Sequence, residues 1–266
     1  MSECEPKLRR APLRLHLLRH GETEHSRDDR FCGDIDAPLT TAGQRMAEAF
    51  AERWGHRAAE STWRGIYTSS RRRAIDTAAP LAARLGIVPQ IDSGLDEIGQ
   101  GTWQGCSKEE IARREPARLR RWMSDPTIGA PAGESAFDVA QRALAVVARV
   151  RRRHGDGDVL IVGHKTLLRL LICALSGVDL RLYRDWIPQP VASHTVIDLD
   201  GDRRLLRRLA DLSYLPPALR ARALVRGRSS VRALLEPETT RDLVGEQEAG
   251  GGQPDLGLGH GEPAGA

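Results

Sequence analysis

The stretch Leu15-His16-Leu17-Leu18-Arg19-His20-Gly21-Glu22-Thr23 governs the reading of the chain. An apolar run that stops abruptly at a glycine reads as a short buried strand. The strand ends on a guanidinium and an imidazole, and Gly21 lets the backbone turn sharply behind them. In open α/β sheets, ligands bind off the carboxyl ends of strands. Arg19 and His20 therefore stand either at an ordinary solvated strand exit or in an anion site that already holds a nucleophile or acid–base group. The tripeptide alone supports both readings equally, and partners elsewhere in the chain have to decide between them.

The 266 residues suffice for one substantial α/β domain or two small ones. A 40% hydrophobic content builds a core, although aromatics contribute only 4%. The net charge of +4 does not demand a nucleic-acid partner. Arginine dominates the basic residues, since Lys7, Lys108 and Lys165 are the only lysines. Arginine suits bidentate recognition of phosphate or carboxylate, and compositional bias explains many of them equally well. Cys4, Cys32, Cys106 and Cys173 lie far apart without a C-x-x-C pair, which argues against zinc and against a disulfide scaffold. Residues 1–12 are polar and lack the apolar segment of a secretory signal. No apolar run of about 18 residues is present; the densest, 166–178, is broken by Arg169. A soluble cytoplasmic protein without membrane contact is the expectation, and a homodimer stays open.

Working outward, residues 1–12 form an arm and 13–18 the first strand. Residues 21–39 read as a long loop beside the strand end, a place where function concentrates. Thr40 or Thr41 caps a helix to about residue 54. A strand follows at 65–69, and Ser69 or Ser70 caps a helix that Gly86 stops. Residues 87–91 make a third strand and 95–105 a glycine-rich loop. Residues 107–123 are helical, with a break at Pro116. Residues 134–154 form an amphipathic helix with Phe137, Ala140, Leu144, Val147 and Val150 on its apolar face. The strand at 158–162 ends in Gly163-His164, and a helix spans 165–175. Residues 195–199 and 204–209 close a hairpin around Asp200-Gly201. Strands alternating with helices predict an α/β three-layer sandwich, its mostly parallel sheet covered on both faces. Past Pro216-Pro217 the chain turns Arg-rich, with helix expected over 218–235. The expected division is an arm (1–12), a main domain (13–215), a helical extension (216–244) and a disordered Gly/Pro-rich tail (245–266).

Two strands thus end alike, in Arg19-His20-Gly21 and Gly163-His164. A third ends at Ser69, followed by Arg71, Arg72 and Arg73 on the first turn of a helix. Helix N-termini and arginines both favour anions. Each histidine alone reads more simply as structural, but the set favours a dianionic ligand if the strands are neighbours.

On these residues the chain resembles the histidine phosphatase superfamily, which contains the cofactor-dependent phosphoglycerate mutases and many phosphomonoesterases. The resemblance spans about residues 13–215. Arg19-His20-Gly21-Glu22-Thr23 looks like the family signature, and Arg30-Phe31-Cys32-Gly33 with Asp36-Ala37-Pro38-Leu39-Thr40 is similar to the loop after it. Tyr67-Thr68-Ser69-Ser70-Arg71-Arg72-Arg73-Ala74 with Thr77-Ala78 resembles the second motif, with Arg71 where the family usually has Leu. Leu95-Asp96-Glu97 with Gly101 and Trp103-Gln104-Gly105 resembles the acid-bearing loop. Gly133-Glu134-Ser135 and Val162-Gly163-His164 are similar to the remaining motifs.

The resemblance implies a role for each position. His20 is the nucleophile that becomes a phosphohistidine, with its other ring nitrogen tied by a hydrogen bond. Arg19, Arg73 and His164 hold the non-bridging oxygens, and Glu97 protonates the leaving oxygen and then activates water. No metal and no cofactor are implied. Ser26 stands where many members carry Asn near the phosphate. Lys165 follows His164 where small residues are commoner, and Lys108 sits at a substrate-contacting position of the mutases. Both lysines are equally readable as solvated. Arg118, Arg120 and Arg121 either cap the site or form a solvated face. Only the 27 positions 106–132 separate Gly105 from Gly133, too few for the insertion that encloses substrate in glycolytic mutases. The expected activity is hydrolysis of a small phosphorylated metabolite. Mutase-type phosphotransfer, or a regulatory protein without catalysis on the same fold, are the alternatives.

Overall fold

The computed structural model describes residues 11–27, 33, 35–55 and 62–224. Its frame is a six-stranded sheet made of β1 (Leu13–Arg19), β2 (Trp63–Thr68), β3 (Gln90–Ile91), β4 (Gly157–Gly163), β5 (His194–Asp200) and β6 (Arg203–Asp211). Their order across the sheet is β3-β2-β4-β1-β5-β6. The first four run parallel, and β5 is antiparallel to both β1 and β6.

Both faces of the central strands are covered, which explains the unbroken apolar run 159–162 of β4. Leu15, Leu17, Val159, Ile161 and Ile197 point to one face. There they meet α6 (Ala136–His154) and α7 (Lys165–Ser176). Leu18, Ile66, Leu160 and Val162 point to the other face, against α2 (Thr41–Gly55) and α3 (Arg72–Leu85). The remaining helices are α1 (Glu24–Arg27), α4 (Lys108–Arg114), α5 (Pro116–Ser124), α8 (Tyr183–Trp186) and α9 (Pro217–Leu224). Left-handed glycines close α3 and α7, Gly86 at φ 65° and Gly177 at φ 73°, as their positions in the sequence predict. No helix among the described residues is long and apolar enough to cross a membrane.

Three local expectations are corrected. The buried stripe of α6 runs through Ala136, Val139, Ala140, Ala143, Val146, Val147 and Val150, while Phe137 and Leu144 are exposed. Close packing against α7 selects the small residues and leaves the two large ones at the margin. Helix α3 begins at Arg72, because the Ser69 and Ser70 hydroxyls donate to Asp96 instead of capping it. Strand β3 shrinks to two residues at the sheet edge, beside an exposed Val88. The break expected at Pro116 is present: it divides 107–123 into two helices, with Pro116 opening the second and Ser107 closing a capping box on the first. Of the helix expected over 218–235, residues 218–224 are helical, and the helix begins at Pro217. The rest of that helix, the tail and residues 1–10 lie outside the described residues.

Between β1 and α2 sits a buried polar cluster. The Asp158 carboxylate accepts from His16 Nε2 (3.0 Å), and His16 Nδ1 pairs with His194 Nε2 (3.0 Å). Burial pushes His16 below the usual histidine range despite Asp158, and pushes His194 well below it. A histidine held neutral by folding contributes stability above its unfolded pKa and loses it as pH falls. The melting temperature should therefore drop between about pH 7 and pH 5, above the range where carboxylates titrate. In a thermal melt series, His194→Gln should show a flatter dependence over that window.

Candidate active site

Register brings the two histidines together. Arg19 pairs with Gly163 across β1 and β4, and the next amide, that of His20, donates to the Gly163 carbonyl (3.0 Å). The His20 and His164 rings follow side by side, with centroids 5.2 Å apart. Strand β2 ends on the far side of β4, where the Ser69 amide donates to the Val162 carbonyl (3.1 Å). The three strand ends predicted to share a crevice are therefore neighbours.

His20 is buried, and its Nδ1 donates to the Gly21 carbonyl (2.8 Å). That bond places the proton on Nδ1 and leaves Nε2 with the lone pair. Burial first, then the Arg73 and Arg19 charges, hold the ring well below the usual histidine range. The turn behind it is pinned. Gly21 N donates to Thr77 Oγ1 (3.0 Å), and Ala192 N to the His20 carbonyl (3.1 Å). A β-carbon on Gly21 would fall 2.5 Å from the Gly43 carbonyl oxygen, so the close approach of α2 requires glycine there.

His164 has the opposite tautomer. Arg73 Nε donates to its Nδ1 (3.2 Å), so its Nε2 proton points to Ser69 Oγ (2.7 Å). Ser69 in turn donates to Asp96 (2.8 Å). Burial first, then Arg73, keeps His164 neutral as well. Arg73 also donates to the carbonyls of Ile35 (2.6 Å) and Gly33 (3.3 Å). Arg19 donates to the carbonyl of Gln189 (2.5 Å). A carbonyl orients a guanidinium without neutralising it. Two buried cations thus converge on two neutral imidazoles, an arrangement suited to a multiply charged anion.

Glu97 reaches the same corner from the loop after β3. Its Oε1 accepts from Ile98 N and Leu167 N, and its Oε2 from Thr166 N, all at 3.0 Å. The carboxylate caps the free amides of α7 immediately after His164. Its loop is fastened by Arg142, which donates to the carbonyls of Gly94 (3.1 Å), Asp96 (2.7 Å) and Glu97 (3.1 Å). Glu134 forks Arg142 and accepts from Gly99 N. Asp96, Ser69 and Glu134 lie inside motifs quoted above, but Arg142 has no local signal because its partners are remote in sequence.

Three candidates remain, Ser26, Lys165 and Lys108. The Ser26 hydroxyl closes a local turn, donating to the Thr23 carbonyl (2.8 Å) and accepting from its amide (2.9 Å). Lys165 opens α7 beside His164, half-buried, and Lys108 opens α4 after the capping Ser107, also half-buried.

Comparison with known proteins bears on this geometry. The family model described as "Histidine phosphatase superfamily (branch 1)" matches residues 15–212. A bifunctional protein of Mycobacterium tuberculosis is 38% identical over 181 residues, 66% of this chain and 49% of the relative. The chain thus spans about half the length of that relative. Phosphoserine phosphatase 1 of Hydrogenobacter thermophilus is 29% identical over 198 residues, covering 74% of this chain and 92% of the relative. The solved native structure of mycobacterial glucosyl-3-phosphoglycerate phosphatase has a TM-score of 0.67 at 30% identity, covering 74% and 98% of the two chains.

The two tautomers are directly observable. Long-range nitrogen–proton correlation spectra at neutral pH should show His20 protonated on Nδ1 and His164 on Nε2. Ser69→Ala should perturb the His164 pattern and leave that of His20 in place.

Proposed function

Because this chain belongs to branch 1 of the histidine phosphatase superfamily, we propose that it hydrolyses a small phosphorylated metabolite through a phosphohistidine on His20, without a metal ion. Relatives named as phosphatases support phosphomonoester hydrolysis as its chemistry. The single observation that carries the mechanism is the His20 Nδ1 bond to the Gly21 carbonyl, which presents a neutral Nε2 lone pair.

In the first step Nε2 attacks phosphorus, and the bond to the leaving oxygen breaks. That oxygen takes a proton from Glu97. Oε2 is the natural carrier, since it accepts one amide where Oε1 accepts two. In the second step water attacks phosphorus, the P–N bond breaks, and Glu97 recovers the proton. Inorganic phosphate and His20 are regenerated. Arg19 and Arg73 hold the non-bridging oxygens and offset the charge that spreads over them in transfer. His164, engaged by Arg73 at Nδ1 and by Ser69 at Nε2, aligns the Arg73 guanidinium on those oxygens. Lys165 and Lys108 stand at helix starts near the acid loop and His164, where an anionic remainder of the substrate can reach them. Ser26 serves the site through the turn it closes.

The neutrality of His20 sets the pH dependence. The nucleophile is competent while deprotonated, and its pKa is lowered, so kcat/KM should persist as pH falls below the usual histidine range. A colorimetric assay with p-nitrophenyl phosphate tests the reading. His20→Ala should lose at least about a thousandfold in kcat, and Arg73→Ala about a hundredfold or more. The wild-type rate should be unchanged by a chelator. A panel containing phosphoserine and glucosyl-3-phosphoglycerate then ranks substrates. Full activity in His20→Ala contradicts the mechanism, and phosphate moving between positions of phosphoglycerate faster than its release indicates a mutase.

A further inference from the structure

Helix α9 lies beyond the family-matched residues 15–212, yet it is tied to the turn that carries His20. Arg222 forks the Glu22 carboxylate, with Nε to Oε2 at 2.7 Å and Nη2 to Oε1 at 2.8 Å. Glu22 is two residues past His20 and only 3% exposed. Its Oε1 also accepts from the Thr40 hydroxyl (2.8 Å), and its carbonyl accepts from Thr40 N (2.9 Å). Thr40 Oγ1 in turn receives Gly43 N (3.1 Å), so the start of α2 is tied to the same carboxylate. A β-carbon on Gly43 would come within 2.2 Å of the Glu22 carbonyl oxygen, which leaves the turn no slack on that side.

The segment leading into α9 holds the other side of His20. Tyr214 Oη donates to the Ala192 carbonyl (2.5 Å), and Ala192 N donates to the His20 carbonyl (3.1 Å). Ala223, Leu215 and Leu212 pack with Met46, Val191 and Ala192 in one buried cluster. Arg220 locks the hinge into the helix by donating to the carbonyls of Ser213 (2.9 Å) and Leu215 (3.0 Å). The C-terminal segment therefore grips the peptide of the proposed nucleophile from both flanks.

We propose that Arg222 is a positioning residue for His20: its fork on Glu22 holds the attacking ring in line and neutralises a buried carboxylate beside the anion site. This rests on the reading of His20 as nucleophile. A buried carboxylate that loses the Arg222 fork has to shift toward its remaining contacts or take up a proton, and either response moves the turn that carries His20. Displacements of about 1 Å at an attacking atom cost orders of magnitude in rate while leaving ground-state binding nearly intact. The effect should therefore fall on kcat rather than KM.

Steady-state kinetics with p-nitrophenyl phosphate and thermal melts on the full chain test the assignment. Arg222→Ala should lower kcat about tenfold or more and change KM less than about threefold. Arg222→Lys, which restores the charge without the fork, should fall between that variant and wild type. Glu22→Gln combined with Arg222→Ala should recover part of the loss, because no uncompensated charge remains. Wild-type kcat in a folded Arg222→Ala protein overturns the proposal, as does a change confined to KM. If Arg222→Ala does not fold, the double variant decides: folded with reduced kcat supports the role, and folded with wild-type kcat overturns it. His20→Ala run alongside separates the two claims. Its inactivity beside a fully active Arg222→Ala removes only the positioning role, whereas activity surviving in His20→Ala removes both.

Discussion

The parallel register of β1 on β4 sets Arg19 opposite Gly163 and lets the Gly163 carbonyl receive the His20 amide. Every other feature of the site takes its position from that pairing. One residue further along each strand the chain presents an imidazole, and the two rings share a buried corner. A slip of one residue would send one histidine to the opposite face of the sheet. The register is fixed in turn because both faces of these strands are buried against helices, so any slip exposes apolar side chains to water or strands polar ones in the core.

Charge is distributed in the site with the same economy. Arg19 and Arg73 are buried cations whose described hydrogen bonds to carbonyls aim them without cancelling them. Their field, added to burial, keeps His20 and His164 neutral. A neutral His20 is what the proposed nitrogen nucleophile requires, and the bond from Nδ1 to the Gly21 carbonyl leaves the lone pair on Nε2. His164 is held in the opposite tautomer by Arg73 on one side and by the Ser69–Asp96 chain on the other. The two rings share a chemical type and an environment, yet their hydrogen-bond partners hold them in opposite tautomers.

Much of this was legible in the sequence, for a physical reason. A strand buried on both faces leaves an apolar run, and its carboxyl end is where polar chemistry can start, so Arg19-His20 and Gly163-His164 mark themselves. The expected three-layer sandwich follows from the same alternation of strands and helices, and the structure has it. What local pattern could not give were side chains whose partners are distant. Arg142 fastens the acid loop across more than forty positions, and Arg222 reaches Glu22 across 200. The Ser69 and Ser70 hydroxyls read as helix caps because capping is a local habit of serine, but Asp96 competes for them from another loop. Ala140, Val147 and Val150 line the buried face of α6 as the periodicity predicts, but Phe137 and Leu144 do not, because close helix packing is decided by size.

The central claim is that His20 Nε2 takes the phosphoryl group. Rapid acid-free quenching of the enzyme with a labelled monoester, followed by peptide mapping and phosphorus NMR, tests it most directly. The label is expected on the peptide containing His20, stable to alkali and lost in acid, with the phosphorus bonded to Nε2. Label on Nδ1, on His164 or on any oxygen-bearing side chain would contradict the account.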